Sequence, residues 1–138
     1  MNVIYYSRTR KYDLEAQGIK YMDLNGLMSI SDIVSVHVGH ECQEILINKE
    51  RIGLMKDGAL FVNTSIGSVV DEISLIQELK THRISAFLDV YQGLPPRKEL
   101  KDLPNVLFTY RSGWYTKESL KLKGDSLILK MKEYLSNN

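Results

Sequence analysis

The polar residues with the clearest potential for chemistry stand where apolar runs end. Thr64 and Ser65 follow the run ALFVN, Asp89 follows ISAFL, and Arg111 follows NVLFTY. Such runs predict buried strands, and in open parallel α/β sheets ligands bind in the loops beyond the carboxyl ends of the strands. These loops are therefore predicted to form a ligand-binding edge. The middle of the first turn, however, is Ile66, which neither gives nor takes a proton.

Histidines are the alternative candidates for acid–base work. His37 falls inside a predicted strand, His40 in the loop after it, and His82 at the end of a predicted helix. Packing or solvation explains each of them, and no two have metal-ligand spacing with a nearby carboxylate, so a zinc site has little support. The single cysteine, Cys42, excludes an internal disulfide and a CxxC pair, and we interpret it as a buried reduced thiol.

Strands and helices that would position these residues alternate along the chain. Strands are predicted over 2–6, 18–22, 32–38, 59–63, 84–90 and 105–110, and helices over 23–30, 47–55, 71–82 and 116–135. Asp23 and Asn48 are predicted N-caps. This alternation predicts an α/β fold with a mostly parallel sheet and right-handed crossovers.

Two helices carry apolar residues along one face, and one segment is predicted as a loop. In the helix over 71–82 the stripe is Ile73, Leu75, Ile76 and Leu79. In the helix over 116–135 one face carries Leu120, Gly124, Leu127, Met131 and Tyr134. The proline-bearing segment GLPPRKELKDLP, between the last two strands, is predicted to be a loop.

Bulk composition is that of an ordinary globular domain. The 138 residues suffice for one domain with its own core, with 43% hydrophobic and 25% charged residues. A net charge of +1 gives no reason to expect nucleic acid or an anionic membrane as a partner. We found no signal peptide and no run of transmembrane length, so the cytoplasm is the expected location.

Five loops, taken in order, carry a resemblance to a known family: SRTRK, VGHE, NTSIGS, DVYQGLP and YRSGW. Together with the block LINKERIGLMKDGALFVNTSIGSVVDEISLIQEL they resemble the second half of the cofactor-binding domain of D-2-hydroxyacid dehydrogenases, and glyoxylate reductases most of all. The resemblance implies that residues 1–138 are one partial Rossmann-like NAD(P)-binding domain. It implies that the first strand, glycine-rich loop and first helix are missing, and that there is no substrate domain.

The resemblance implies that the family's reaction needs three residues. They are an arginine that binds the substrate carboxylate, a histidine that donates the proton and a glutamate that orients the histidine. The matching positions here are Ile66, Arg111 and Leu94 respectively. Arg111 is no general acid at neutral pH, because the pKa of its guanidinium lies above about 12. We therefore assign no catalytic residue and expect the chain alone not to catalyse the family reaction.

More of the family's cofactor-binding positions than of its catalytic positions hold suitable residues in this chain. The basic turn, SRTRK, contains Arg8, Thr9 and Arg10. It resembles the form of this turn that accepts the 2′-phosphate of NADP in the family, and NAD is the alternative cofactor. A solvated basic turn explains the same residues. Without a glycine-rich turn to approach the diphosphate, binding is expected to be weak or absent.

At the nicotinamide end, the resemblance implies a role for Asp89, which would contact the ring, and for the lining residues Thr64, Ser65 and Gly113. Asp89 has an equally good structural explanation as a strand-end aspartate that bonds a neighbouring turn. Both interpretations stay open at the level of sequence.

Three functional hypotheses follow. The chain is a degenerate dehydrogenase-like domain, one part of a split NAD(P)-dependent oxidoreductase completed in trans, or a non-enzymatic interaction module. Loss of a central strand would leave two unpaired edges, or a direct pairing of the flanking strands, and would uncover one sheet face. We therefore expect a homo-oligomer, most simply a dimer.

Overall fold

Six parallel strands make two separate sheets in the computed structural model, which describes residues 1–39, 41–93, 96–113 and 115–136. The strands are β1 (Ile4–Tyr5), β2 (Lys20–Tyr21), β3 (Ile33–Val36), β4 (Leu60–Asn63), β5 (Ser85–Leu88) and β6 (Val106–Phe108). β1 pairs with β2, and the other four form one sheet in the order β3-β4-β5-β6. The predicted parallel α/β architecture is confirmed, with strands shorter than the apolar runs.

Helices occupy the connections. They are α1 (Tyr12–Ala16), α2 (Leu24–Ile30), α3 (Lys49–Leu54), α4 (Glu72–Lys80), α5 (Lys98–Lys101) and α6 (Lys117–Ser136). A single 3₁₀ turn, Gly67–Val69, follows β4. The sequence did not predict α1, and it was wrong in making the segment that contains α5 entirely a loop. Both helices are five residues or shorter, too short for the apolar periodicity on which helix prediction depends.

Helix starts are fixed by side chains that the sequence identified. Asp23 accepts a hydrogen bond from the backbone N–H of Gly26 at 2.9 Å, and Asn48 accepts one from Arg51 at 3.0 Å. Asp71 caps α4 in the same way, through the N–H of Ser74 at 3.1 Å. Each cap satisfies a donor that the first turn of a helix leaves without an internal partner.

The core lies on one face of the four-stranded sheet. Alternate strand residues, including Val34, Val36, Phe61, Ala86 and Leu88, belong to one buried cluster with residues of α2, α3 and α4. On the opposite face Ile33 and Leu107 are exposed. One face of the sheet therefore lacks cover among the described residues.

One apolar stripe differs from its prediction. Ile73 is 59% exposed, whereas its neighbour Glu72 is only 4% exposed. Leu75, Ile76 and Leu79 are buried as expected. The prediction failed at Ile73 because the bond partners of Glu72, described below, turn the start of α4 so that its carboxylate faces inward.

No strand pairing joins the two sheets among the described residues. In the part of the chain that the structure describes, β1 bonds only to β2, and β3 bonds only to β4. This is the first of the two arrangements that the sequence left open. An ion pair between Arg8 and Glu41 at 3.5 Å links the loop after β1 to the loop after β3.

α6 stands apart from the core. None of its residues is buried, and the predicted face of Leu120, Leu127, Met131 and Tyr134 is exposed. The helix itself was predicted correctly, and its apolar face is exposed in the single chain. No helix among the described residues combines the length and the apolar character needed to span a membrane.

Candidate functional site

The turn after β4 is held by its own polar side chains. Asn63 is buried; its amide nitrogen donates to the carbonyl of Ile66 at 3.0 Å, and its oxygen accepts the N–H of Ser65 at 3.0 Å. The Ser65 hydroxyl donates to the carbonyl of Val38 at 2.5 Å and accepts its N–H at 3.0 Å. Ser65 therefore ties the loop after β3 to this turn, while Thr64 remains exposed.

Ile66 turns towards the protein interior. Its side chain is half-buried and packs against the hydrophobic core, so it offers the edge neither charge nor hydrogen bond. The next residue, Gly67, is buried against the loop after β5. A Cβ atom at Gly67 would lie 2.5 Å from the backbone carbonyl of Tyr91, so the close approach of the two loops requires glycine.

Asp89 organises the loop after β6. It is 3% exposed, and its Oδ1 accepts from the Thr109 hydroxyl and from the N–H of Ser112 at 2.7 Å. Oδ2 accepts the N–H of Gly113 at 3.0 Å, and a Cβ at Gly113 would come as close as 3.0 Å to the same oxygen. Both carboxylate oxygens are thus engaged within the protein, which is the arrangement expected of the turn-bonding alternative.

Burial and hydrogen bonding act in opposite directions on the pKa of Asp89. Burial is the largest single influence and favours the neutral acid, but the hydrogen bonds from Thr109, Gly113 and Ser112 together outweigh it. The pKa of Asp89 is therefore lowered, and the carboxylate is charged at neutral pH.

Arg111 lies directly beyond this network. Its backbone has φ of +54°, in the left-handed region, and its N–H donates to the carbonyl of Asp89 at 3.1 Å. The residue is exposed. Burial raises the pKa of the nearby Tyr91, and the positive charge of Arg111 acts against that rise. Arg111 is thus anchored by its backbone, at the same sheet edge as the turn after β4.

The three residues of the basic turn have different environments. The Arg8 side chain is 72% exposed, and its ion pair with Glu41 is a long one. Arg10 is held by Glu15 through two bonds of 2.7 and 2.6 Å, and its guanidinium lies over the rings of Tyr12 and Tyr21.

The bidentate bond to Glu15 raises the pKa of Arg10 further above its already high ordinary value. Only Arg8 and the exposed Thr9 are therefore disposed to meet a ligand. This difference between the two arginines was not predicted, because the partner Glu15 lies in the unpredicted helix α1.

The two histidines that the structure describes, His37 and His82, lie in separate parts of the chain's fold. His37 bonds the Ser35 hydroxyl at 2.8 Å on the exposed side of β3, and His82 ends α4 with φ of +58°. His40 and Leu94 lie outside the described residues. Within the described part of the chain, no cluster of His, Cys, Asp and Glu could hold a metal ion. Cys42, predicted to be a buried thiol, is only partly buried and packs against the core.

Two residues of this edge were missed by sequence reasoning. Glu72 accepts the N–H of Gln92 at 2.6 Å and the Nε of Arg97 at 2.9 Å, which ties α4 to the loop after β5. Tyr91 is buried, with a hydroxyl that has no hydrogen-bond partner among the residues that the structure describes. In the sequence, Glu72 is explained by the helix dipole, which favours acids in the first turn. Tyr91 is explained as a core residue, because it follows an apolar strand. The local pattern therefore does not reveal the long-range environment of either residue.

A nicotinamide dinucleotide fits this edge in part. Gly113, where a side chain would meet Asp89, and the exposed Thr64 are small residues near the strand ends, where the nicotinamide ring would lie. Arg8, whose side chain is 72% exposed and whose ion pair with Glu41 is 3.5 Å long, offers a charge for a phosphate at the other end. In the described residues, no glycine-rich turn at a helix start presents backbone N–H groups to a diphosphate between these ends. The residues present would hold the two ends of the cofactor and leave its middle without contacts.

Comparison with known proteins points to one family. The family model described as "D-isomer specific 2-hydroxyacid dehydrogenase, NAD binding domain" matches residues 1–111. The glyoxylate reductase of Thermococcus litoralis is 40% identical over 123 residues, which are 86% of this chain and 37% of that protein. The hydroxypyruvate reductase of Thermotoga maritima is 37% identical over 119 residues, 82% of this chain and 39% of that protein.

Solved structures agree with this similarity. The D-lactate dehydrogenase from Aquifex aeolicus complexed with NAD and lactic acid superposes with a TM-score of 0.88 at 28% identity, covering 99% of this chain and 47% of that one. An acyclic imino acid reductase in complex with NADPH and D-Arg gives a TM-score of 0.84 at 32% identity, covering 99% and 44%. The chain thus spans less than half of these relatives.

Proposed function

The chain belongs to the D-isomer specific 2-hydroxyacid dehydrogenase family, as part of its NAD-binding domain, and from this we propose that these 138 residues do not by themselves catalyse the family's hydride transfer. The observation that carries the proposal is the inward packing of Ile66 at the position where the family has its carboxylate-binding arginine. A half-buried aliphatic side chain gives a 2-oxo acid nothing to bind.

Two further positions support this. At Arg111 the chain has a permanent cation in place of the proton-donating histidine. At Leu94 it has an aliphatic residue in place of the glutamate that would orient that histidine. Losing general acid catalysis alone typically slows a reaction by about 10²–10⁴-fold, and losing substrate positioning adds a further large factor.

We further propose that a dinucleotide binds weakly, and that the phosphorylated form is preferred. When bound, the cofactor supplies a hydride to a carbonyl carbon. The chain's own part would be limited to Arg8 on the 2′-phosphate and to Thr64, Ser65, Asp89 and Gly113 around the nicotinamide. Asp89 would act there only by shaping the loop, because its oxygens are already occupied.

The test is oxidation of NADPH and NADH by the chain with a panel of 2-oxo acids, including glyoxylate and hydroxypyruvate. We expect no enzymatic turnover from the wild type or from Arg111→Ala. Turnover on the order of 1 s⁻¹, within the ordinary enzyme range, that disappears in Arg111→Ala would overturn the proposal, because it would make Arg111 a catalytic residue.

An enzyme completed in trans is the first alternative. It predicts that a partner supplies the diphosphate-binding turn. The positions of Ile66 and Arg111, however, lie in this chain, so the complex would still lack the carboxylate-binding arginine and the proton-donating histidine. A turnover assay repeated with added glycine-loop segment of a relative distinguishes it, since activity would appear only in the mixture.

A non-enzymatic interaction module is favoured by a specific observation, the exposed apolar surface of the described residues. We infer that the chain associates with a second copy of itself, using the uncovered sheet face around Leu107 and the exposed face of α6 around Leu127 and Met131. A net charge of +1 puts little electrostatic repulsion between two copies. Burial of this face would then remove apolar surface that monomeric proteins rarely leave exposed.

Sedimentation at micromolar concentration tests the association. The wild type is expected to sediment as a dimer, and Leu127→Glu with Met131→Glu as a monomer of unchanged fold. Because neither side chain is buried in the single chain, these changes should leave the far-ultraviolet circular dichroism intact. Monomer alone for the wild type would refute self-association without bearing on the catalytic proposal.

A further inference from the structure

The uncovered face of the four-stranded sheet carries a continuous apolar patch. Val62 of β4 pairs in register with Phe87 of β5, and Phe87 pairs with Leu107 of β6. Their neighbours along each strand are buried or pack against the core, so these three side chains lie on the opposite side of the sheet. Ile33, which is 55% exposed, extends the patch to the edge strand β3. This sheet patch, defined by Ile33, Val62, Phe87 and Leu107, lacks cover among the described residues.

α6 presents an apolar face of its own. Leu120, Gly124, Leu127 and Met131 are spaced four, three and four residues apart, which places them on one side of the helix. The side chains of Leu120, Leu127 and Met131 are 42%, 61% and 56% exposed. Helices in proteins owe most of their stability to the packing of such a face. This helix face, defined by the same four residues, therefore needs an apolar surface to pack on.

The sheet patch and the helix face match in size. Four strands about 4.8 Å apart make the patch about 14 Å wide, and four residues of about 3.3 Å each make it about 13 Å long. The distance along the helix from Leu120 to Met131, at about 1.5 Å per residue, is about 16 Å. Near its middle, no described neighbour lies within 4 Å of the Cβ position of Gly124, so the backbone of α6 can approach a facing surface closely.

Charge distinguishes the two ways in which two copies could use α6. The helix contains five lysines and three acids, and so carries a charge of +2. The whole chain carries +1, so the remainder carries −1. Contact between two α6 helices would bring two positive surfaces together and would leave both sheet patches open. Contact between α6 and the sheet patch brings opposite charges together and covers both apolar surfaces.

We propose that α6 of each copy lies on the sheet patch of the other copy, in a reciprocal dimer. This dimer is a specific form of the self-association proposed above and rests on it. The contact is made twice, because a two-fold dimer uses the same surfaces on both copies. Residues 109–116 connect β6 to α6, and in the single chain both the helix face and the sheet patch stay exposed. Two copies therefore supply each other with the cover that each one lacks.

Sedimentation of two complementary variants tests the exchange. Leu107→Lys puts a charge in the sheet patch, and Leu127→Glu puts a charge in the helix face. Each variant alone should lose the dimer at micromolar concentration, and an equimolar mixture of the two should regain it. In the mixed dimer, one contact joins the new lysine of one copy to the new glutamate of the other. The second contact has wild-type side chains on both sides.

Leu129→Glu is the matched control for Leu127→Glu. Leu129 is 58% exposed, close to the 61% of Leu127. Two residues turn an α-helix by about 200°, so Leu129 lies on the other side of α6. This variant should sediment as a dimer, like the wild type. The far-ultraviolet circular dichroism of all three variants should equal that of the wild type, because none of the replaced side chains is buried.

Cross-linking separates exchange between copies from packing within one copy. Leu107→Cys and Leu127→Cys are made in separate chains that also carry Cys42→Ser, and the chains are refolded together and treated with a short bismaleimide. The mixture should give a covalent dimer with one chain of each kind, and neither variant alone should give one. When both new cysteines are placed in one chain, the product should be a covalent dimer and not an internally linked monomer.

Three results would overturn the exchange. The first is a mixture of Leu107→Lys and Leu127→Glu that stays monomeric although the wild type is a dimer. The second is an internally linked monomer in the cross-linking experiment, because α6 would then cover its own sheet. The third is a covalent dimer from Leu127→Cys alone, which would pair α6 with α6. A wild type that is monomeric would remove the self-association and the exchange together, and would leave the catalytic proposal untouched.

Discussion

The backbone N–H of Ser112 donates to the Oδ1 of Asp89 at 2.7 Å, and this bond joins the end of β5 to the loop after β6. With the bonds from Thr109 and Gly113, it makes a single buried carboxylate the organiser of the segment that presents Arg111. The shape of the sheet edge therefore depends on Asp89 whether or not any cofactor is bound.

Asp89→Asn should destabilise the protein by about 2–3 kcal/mol. The amide is nearly the same size, but it replaces one acceptor oxygen by an NH₂ group that faces the N–H donors of the loop. Urea unfolding followed by circular dichroism measures the change. Asp102→Asn, at an exposed position, is the matched control and should stay within about 0.5 kcal/mol of the wild type. Equal stability of all three proteins would show that the network is dispensable.

Acid should destabilise the wild type in a defined range of pH. The hydrogen bond from the Ser74 hydroxyl, with that from its N–H, lowers the pKa of Asp71, and the pKa of Asp89 is lowered as described above. Groups with a lowered pKa in the folded state contribute stability above their unfolded pKa of about 3.9 and lose it as pH falls through the folded value.

The free energy of unfolding should accordingly be insensitive to these two groups above about pH 5 and fall below about pH 4. Urea titrations between pH 2.5 and 6 measure the slope, and the slope of Asp89→Asn should be the smaller one. A wild type whose stability rises on acidification through this range would contradict the directions of both pKa shifts.

The sequence predicted the regular elements of this fold well, and the contacts between them poorly. Asp23, Asn48 and Asp71 were readable as caps or helix starts because capping is local, involving residues three apart. The exposure of Ile73 and the burial of Glu72 depend on Gln92 and Arg97, twenty or more residues away. No periodicity carries that information.

The candidate site shows the same division. The loops themselves are visible in the sequence, as are Ile66 and Arg111 at the positions where the resemblance implies an arginine and a histidine. The pairing of Arg10 with Glu15 and the unpartnered hydroxyl of Tyr91 are not, because each depends on which of several neighbours lies close in three dimensions.

Glu72→Ala should destabilise the protein by about 2–3 kcal/mol, even though the residue lies outside the hydrophobic core. Its buried carboxylate accepts the Gln92 N–H and the Arg97 guanidinium, and truncation leaves the Gln92 N–H unpaired. Arg97 is half-exposed and regains water, which limits the loss. Urea unfolding measures the effect.

Glu99→Gln, an exposed substitution on α5, serves as the control for Glu72→Ala and should change little. Arg97→Gln should cost less than Glu72→Ala, because it leaves the carboxylate its bond to Gln92. The reverse order would mean that the ion pair, and not the backbone contact, holds the loop after β5.

The last prediction separates the two arginines of the basic turn. Calorimetry with NADPH and NADH should show Arg8→Gln losing affinity for NADPH, on the order of tenfold, with little change for NADH. The side chain of Arg8 is exposed and its bond to Glu41 is long, so it can exchange that partner for a 2′-phosphate. Arg10→Gln should leave both affinities within about twofold, because Glu15 already binds that guanidinium at 2.6 and 2.7 Å.

Arg10→Gln has its own expected effect, a loss of stability without a loss of nucleotide preference, since it breaks the contacts to Glu15, Tyr12 and Tyr21. Arg8→Glu alone should then remove the NADPH preference as fully as the double change of Arg8→Glu with Arg10→Glu. Equal and tight binding of NADH and NADPH by the wild type would refute the preference itself. A tenfold effect at Arg10 would show that nucleotide displaces Glu15, and that the resting ion pair competes with the ligand.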